Sequence, residues 1–276
     1  MKNRFLYLKN NVLEDVTFLD ASIQDFYYKK HSHEEYAIGL INTGKIGFNC
    51  RDGMFHIPGG GLMQLNPGDP HEGTPDVERG YDYWMLYIPA SQMAKVVSDY
   101  CGFSRFKTFN FSGNVSRNTL LRERYVNFAA AMLGDRTADA ALEQSFADLI
   151  HCLCNLNLGE GAGYHTGRVD NLIRRAEDYI RQNIHTSLSI DEVSQVAGIS
   201  KYHFMRMFKA QVGVTPYQYI INCKVNKIKL DIDSGYSAEK TFSEESFFDQ
   251  SHFNKRFREI YGVTPKGYQH AIRKGI

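Results

Sequence analysis

In the stretch YHFMRMFKAQVG, from Tyr202 to Gly213, the residues Tyr202, Met205, Arg206 and Lys209 lie three or four positions apart. If the stretch is helical they share one face. Arg206 could then donate two hydrogen bonds to a guanine edge, and Tyr202 and Met205 could touch a thymine methyl. A second stretch, SHFNKRFREIYG, offers Ser251, Asn254, Lys255 and Arg258 in the same pattern. The two stretches are copies. His203 and His252, Phe204 and Phe253, Phe208 and Phe257, Gly213 and Gly262, Pro216 and Pro265, Tyr219 and Tyr268 pair off at a constant offset of 49 positions. The apolar positions match while the outward ones differ, as expected of one fold used twice with two different readouts. A surface that occurs twice suits a ligand that also repeats, and duplex DNA repeats every ~34 Å.

The charge distribution agrees. The chain of 276 residues has a net charge of only +1. Residues 1–167 carry 15 Lys and Arg against 19 Asp and Glu, and residues 168–276 carry 17 against 12. The duplicated stretches therefore lie in the basic part, where a phosphate-binding surface belongs.

These faces need helices behind them. LSIDEVSQVAGIS gives a helix of about eight residues, opened by Ser189 with Glu192 as a capping box and closed at Gly198. Ser200 is placed to cap the next helix and Gly213 to end it. Helix, glycine turn and capped basic helix make a helix-turn-helix. Phe204, Met207 and Phe208 should face its core. In the second copy Phe253 and Phe257 take those places, with Asp249 as cap. Pro216 to about Ile232 reads as one helix of ~25 Å between the two units. An amphipathic helix with a solvated basic face would look similar, but it would not explain the duplication.

The first part reads differently. Up to about Phe111, short aromatic and β-branched runs alternate with NTGK, CRDG, IPGGG and NPGDPHEG, the pattern of an all-β barrel or sandwich. From about Ser116 the period turns helical. Leu142, Phe146, Leu149, Leu153 and Leu156 form a stripe that could pack on the barrel and, in part, on a second copy. LNLGEGAGYHTGR marks a glycine-rich linker. The expected domains are 1–158, a linker at 159–168, and 169–276.

These motifs resemble the AraC/XylS transcription regulators. The resemblance covers the whole chain and is most specific in LSIDEVSQVAGISKYHFMRMFK, GVTPYQYI and DQSHFNKRFREIYGVTPKGYQ. It implies an α+β protein of two domains: a cupin-like β-barrel with two flanking helices, then an all-α domain of two helix-turn-helix units joined by a linker helix. It implies that Tyr202, Met205, Arg206, Ser251, Asn254 and Lys255 face bases. The second unit departs from the family pattern, with Phe242 where a helix alanine is usual and Ser246 in place of the turn glycine.

HSHEEYAIGLINTGKIGF and GGGLMQLNPGDPHEG resemble the ligand barrel of the same family. His31, His33 and His71 stand where metal-binding cupins carry ligands, but the glutamate expected near Ala37 or Ile38 is missing. A pocket for an organic effector is the stronger reading. Its candidates by position are His33, Glu35, Tyr36, His71, Glu72, Tyr83 and Trp84. A metal-dependent enzyme of dioxygenase type with a DNA-binding tail is the alternative, and a constitutive DNA-binding protein with a dimerising barrel is a third. The expected partners are double-stranded DNA and a small-molecule effector, with a second copy and RNA polymerase compatible with the reading. No cofactor and no membrane contact is expected. No apolar run approaches the ~20 residues of a membrane span. Five scattered cysteines, with Cys152 and Cys154 in an apolar helical run, suggest buried free thiols and a cytoplasmic setting.

Overall fold

The computed structural model describes residues 3–13, 15–75, 80–101, 109–134, 137–157, 171–241 and 250–273. Eight strands come first: β1 (Arg4–Leu8), β2 (Thr17–Ile23), β3 (Tyr28–His31), β4 (Glu35–Cys50), β5 (Gly53–Pro58), β6 (Leu62–Leu65), β7 (His71–Pro75) and β8 (Tyr81–Pro89). Helix α1 (Ala90–Cys101), the short β9 (Val115–Ser116), α2 (Thr119–Leu133) and α3 (Asp139–Asn157) complete the first half. The second half holds α4 (Asn171–Gln182), α5 (Ile190–Ala197), α6 (Lys201–Val212), α7 (Pro216–Asp233), α8 (Gln250–Tyr261) and α9 (Pro265–Arg273).

The long strand β4 makes the barrel possible. Its first half, residues 35–44, pairs antiparallel with β8, and residues 37–40 also with β6. Its second half, residues 45–50, pairs with β5 and β7. The sheet therefore folds over itself, and period-two alternation sends successive side chains to opposite faces. Ala37, Ile41, Tyr81, Tyr83, Met85 and Tyr87 point inward with Ile46, Phe48 and Ile57. Tyr36, Ile38, Leu40, Leu86 and Ile88 point outward, under the helices.

Beside the two expected flanking helices stands a third, α1. It falls within the region read as strands, because Val96 and Val97 mimic the β-branched pattern there. The α3 stripe is almost wholly spent inside the molecule. Leu142, Phe146, Leu149 and Leu153 are buried against α2 and the outer barrel face, and only Leu156 is exposed. Cys152 and Cys154 are free thiols in the same layer. The linker read at 159–168 lies outside the described residues, as do Phe242, Ser246 and Asp249.

The two helical units are built unequally. The first has its own core of Ile173, Ala176, Ile180, Val193, Phe204, Phe208 and Tyr219. The second does not. Phe253, Phe257, Ile260, Tyr261 and Tyr268 join one cluster with Ile228 and Ile232 of α7 and with the barrel interior. Tyr7 of β1 lies at their centre, its ring 4.7 Å from that of Tyr268.

Candidate nucleic-acid interface and effector cavity

Helices α5 and α6 form the turn that the sequence indicates. Gly198 takes the left-handed conformation (φ 74°), and its N–H bonds to the carbonyls of Gln195 and Ser194. The expected caps are only partly realised. Ser189 accepts from Glu192 N at 3.1 Å. The Glu192 carboxylate does not reach back, because it accepts the Tyr179 hydroxyl at 2.5 Å instead. Ser200 occupies the cap position of α6 without a side-chain cap bond. The complete capping box stands at the start of α7, where Thr215 and Gln218 satisfy each other's backbone N–H groups.

Phe204 and Phe208 are fully buried, and Met207 packs against the same core. This leaves Tyr202, Met205, Arg206 and Lys209 exposed, with Tyr202 78% accessible. In α8, Phe253 and Phe257 turn inward. Ser251, Lys255 and Arg258 are exposed and Asn254 is half-buried. Seven of the eight candidate DNA-facing residues are thus exposed on the helices expected to carry them, and Asn254 is half-buried.

The barrel places its seven candidates in three environments. His33, His71 and Tyr83 belong to the interior. Tyr36 and Trp84 point the other way, into the helical layer, because each is one residue out of phase with an inward neighbour. The Tyr36 hydroxyl donates to the Phe109 carbonyl there. Glu35 and Glu72 face the second half of the chain. Glu35 is buried and accepts Lys229 Nζ of α7 at 2.6 Å. Glu72 accepts Asn49 Nδ2 at 2.6 Å, beside a hollow of about 270 Å³ between β3, α7 and α8.

The interior cavity is lined by Tyr28, His31, Phe48, His71, Tyr81, Tyr83 and Tyr87, with Met63 and Met85 filling gaps. It measures about 30 Å³, room for about two waters. Tyr28, Tyr81 and Tyr87 were not singled out from the sequence. Their inward phase on β3 and β8 was the available signal.

The three imidazoles cluster, with ring centroids 4.3 Å apart for His31 and His71, and 5.0 Å for His33 and His71. Burial chiefly, then the neighbouring imidazole of His33, holds His31 down at about 3. Burial likewise depresses His33, and burial with the charges of His31 and His33 depresses His71. All three are therefore neutral near pH 7. Each Nδ1 faces a backbone carbonyl, Lys29 O at 2.6 Å, Glu35 O at 2.9 Å and Asp69 O at 2.9 Å. A carbonyl can only accept, so each Nδ1 carries the proton and each Nε2 is an acceptor. Among the described residues, no group of three or more His, Cys, Asp or Glu is arranged to hold a metal ion.

Lys229 is a functional candidate that sequence reasoning missed. It is buried on α7, between Glu35 and Asp233 (3.0 Å). Lys9 reaches Asp233 at 3.3 Å, and the Tyr268 hydroxyl donates to it at 2.9 Å. The ion pair holds the Lys229 ammonium well above its usual range against the opposing effect of burial, and it lowers Glu35 in the same way.

A barrel enclosing a polar and aromatic cavity, joined to a helical half that carries the helix-turn-helix α5–α6 and a second exposed basic helix, α8, defines a ligand-binding regulator that docks on DNA. Comparison with known proteins agrees. A family described as the AraC-like ligand binding domain matches residues 15–177, more than half of the chain, and a helix-turn-helix domain family matches residues 193–271. The chain belongs to the AraC-type transcription regulators. It is similar to LumQ of Photobacterium leiognathi, named for transcriptional regulation, at 30% identity over 89% of this chain and 93% of that one. It is also similar to the MmsAB operon regulatory protein of Pseudomonas aeruginosa, at 26% identity over 91% and 80%. In fold it is similar to two structures of ToxT from Vibrio cholerae, the second of them solved with an unsaturated fatty acid bound. Both structures give a TM-score of 0.56, at 9% identity (98% and 97% coverage) and 11% (99% and 96%). No helix among the described residues is long and apolar enough to cross a membrane.

Proposed function

We propose that the effector of this regulator sits in the barrel interior, against His31, His33, His71, Tyr81 and Tyr83, and that it is uncharged. Among the described residues, no Lys, Arg, Asp or Glu lines the cavity. Three Nε2 acceptors gather beside it, and the buried Tyr81 hydroxyl has no hydrogen-bond partner among the described residues. A small molecule carrying hydroxyl or amide donors would satisfy both, with the tyrosine rings packing on its apolar faces. The two methionines, flexible and unbranched, are the side chains that can yield to it. The unpartnered Tyr81 hydroxyl is the observation that carries this reading.

Residues 1–158 then form the effector unit, 159–168 the linker and 169–276 the DNA unit. Tyr202, Met205, Arg206 and Lys209 read one stretch of major groove, and Ser251, Asn254, Lys255 and Arg258 the next. Homodimerisation and contact with RNA polymerase belong to the same reading. Exposed Leu120 and Val126 on α2 support a dimer, and sedimentation of the purified chain tests it.

The effector site is tested by thermal shift with a panel of neutral polyols, amides and carboxylates. A neutral ligand at 100 times its dissociation constant should add ~2.7 kcal/mol, and His71→Phe should remove the effect. Stabilisation by carboxylates alone would refute the assignment. The DNA face is tested on a duplex selected by the full chain from a random pool. There Arg206→Ala should weaken binding by ~1–3 kcal/mol.

A further inference from the structure

The recognition helices α6 and α8 end at equivalent points of the repeat, on Gly213 (φ 83°) and Gly262 (φ 76°). In both, the barrel reaches in at that end. Around α6, the Arg51 guanidinium, in the turn between β4 and β5, donates to Gln211 O at 2.8 Å. Pro70, next to the cavity residue His71, presses on Gly213, so that a Cβ there would lie 2.7 Å from the proline Cγ. Around α8, the Tyr7 hydroxyl of β1 donates to Tyr261 O at 2.6 Å. Phe5 covers Gly262, so that a Cβ there would lie 2.2 Å from the ring. Gly198 and Gly235 also have positive φ, yet a Cβ on either would meet nothing within 4 Å. Among the left-handed glycines that follow helices, close approach is therefore found at the two recognition-helix ends and not at Gly198 or Gly235.

The chemistry explains why a barrel would hold a helix there. The last four carbonyls of a helix lack partners within it, so Gln211 O and Tyr261 O can accept from side chains outside the helix, as they do here from Arg51 and Tyr7. A glycine in the left-handed conformation presents bare backbone, so a neighbouring ring can come close. Side chains that bond the end of a helix fix its direction while leaving its outer face open to DNA.

We propose that Arg51 and Pro70 on one helix, and Phe5 and Tyr7 on the other, are positioning residues for DNA readout. By gripping both recognition helices at matching ends, the barrel sets the separation and angle between them. It thereby sets the spacing of the two base-pair clusters the protein accepts. The residues touch no DNA and act through α6 and α8. This rests on the assignment of those helices to the major groove, which Arg206→Ala tests separately.

The experiment uses the full-length chain and a duplex selected from a random pool by the wild type. Versions with one base pair inserted or deleted between the two contacted segments are then compared. One base pair displaces a segment by 3.4 Å and about 35°, so the wild type should bind either version at least about tenfold more weakly. Arg51→Ala and Tyr7→Phe should each shrink that penalty to about threefold or less, and Arg51→Lys, which can still donate to Gln211 O, should restore it. Thermal melts confirm that each variant is folded. Arg51 is exposed, so the arginine pair decides the matter even if Tyr7→Phe does not fold. A spacing profile identical to the wild type in folded Arg51→Ala overturns the proposal. So does an equal loss at all spacings with a shallower salt dependence, which would make Arg51 a phosphate contact.

Discussion

Lys229 is 2% exposed at its side chain, and it bonds two carboxylates from different parts of the chain. Truncating it would leave Glu35 buried beside the neutral His33 with no cation to pair with. Lys229→Met should therefore lower stability by ~3–5 kcal/mol in urea denaturation, and Lys229→Met with Glu35→Leu should recover most of the loss. An effect below ~1 kcal/mol would mean that water reaches the pair. His31 makes the opposite case, a group buried without its charge. Its folded value of about 3 lies below the 6.5 of the unfolded chain. The unfolded state thus binds the extra proton between those limits, and stability falls as pH drops through that window. At pH 5 the loss should be about 2 kcal/mol relative to pH 8. His31→Gln should flatten the stability curve by that amount. The histidine cluster was legible in the sequence through the resemblance to a cupin-like ligand barrel, which puts His31, His33 and His71 at its metal-ligand places. Lys229 was not, since nothing in NKIKLDID separates a buried lysine from the solvated ones around it until the barrel supplies Glu35.

At the scale of elements, the duplicated helices were legible because their apolar positions follow the helical period and their glycines must stop them. The barrel was legible only as a class. Tyr36 and Trp84 show why: a strand exposes alternate residues to opposite faces, and which face is interior depends on pairings between residues far apart in the chain. Helix α1 escaped for a related reason, since Val96 and Val97 favour strands until tertiary packing overrides them. The glycines test how local and tertiary demands add. Gly198→Ala should cost about 1 kcal/mol, the left-handed backbone penalty alone. Gly262→Ala carries that penalty and must also displace Phe5, so it should cost ~1–3 kcal/mol more. Adding Phe5→Ala to each variant should make the second cost nearly equal to the first. Equal costs without Phe5→Ala would mean that β1 moves away freely.

At the scale of the whole molecule, the first unit (α4–α6) and the second (described in α8 and α9) differ in what completes their cores. The first closes over Phe204, Phe208 and Tyr219 with residues from its own helices. The second closes only when Tyr7 meets Tyr261 and Tyr268, and when Ile228 and Ile232 of α7 lie against it. Barrel, linker helix and second unit therefore form one cooperative body, to which the first unit is attached through α7 and a few edge contacts such as Arg51 with Gln211 and Arg181 with Glu34 (3.8 Å). An effector that shifts the barrel would carry the second unit with it and change its relation to the first. The fragment 169–276 exposes the asymmetry. In hydrogen exchange its α4, α5 and α6 amides should keep native protection, because their core is intact. Its α8 and α9 amides should exchange far faster than in the full chain, with apolar surface open to a hydrophobic dye. Equal protection of both units in the fragment would show that the second core closes unaided, and the barrel would then be a neighbour of that unit and not a part of it.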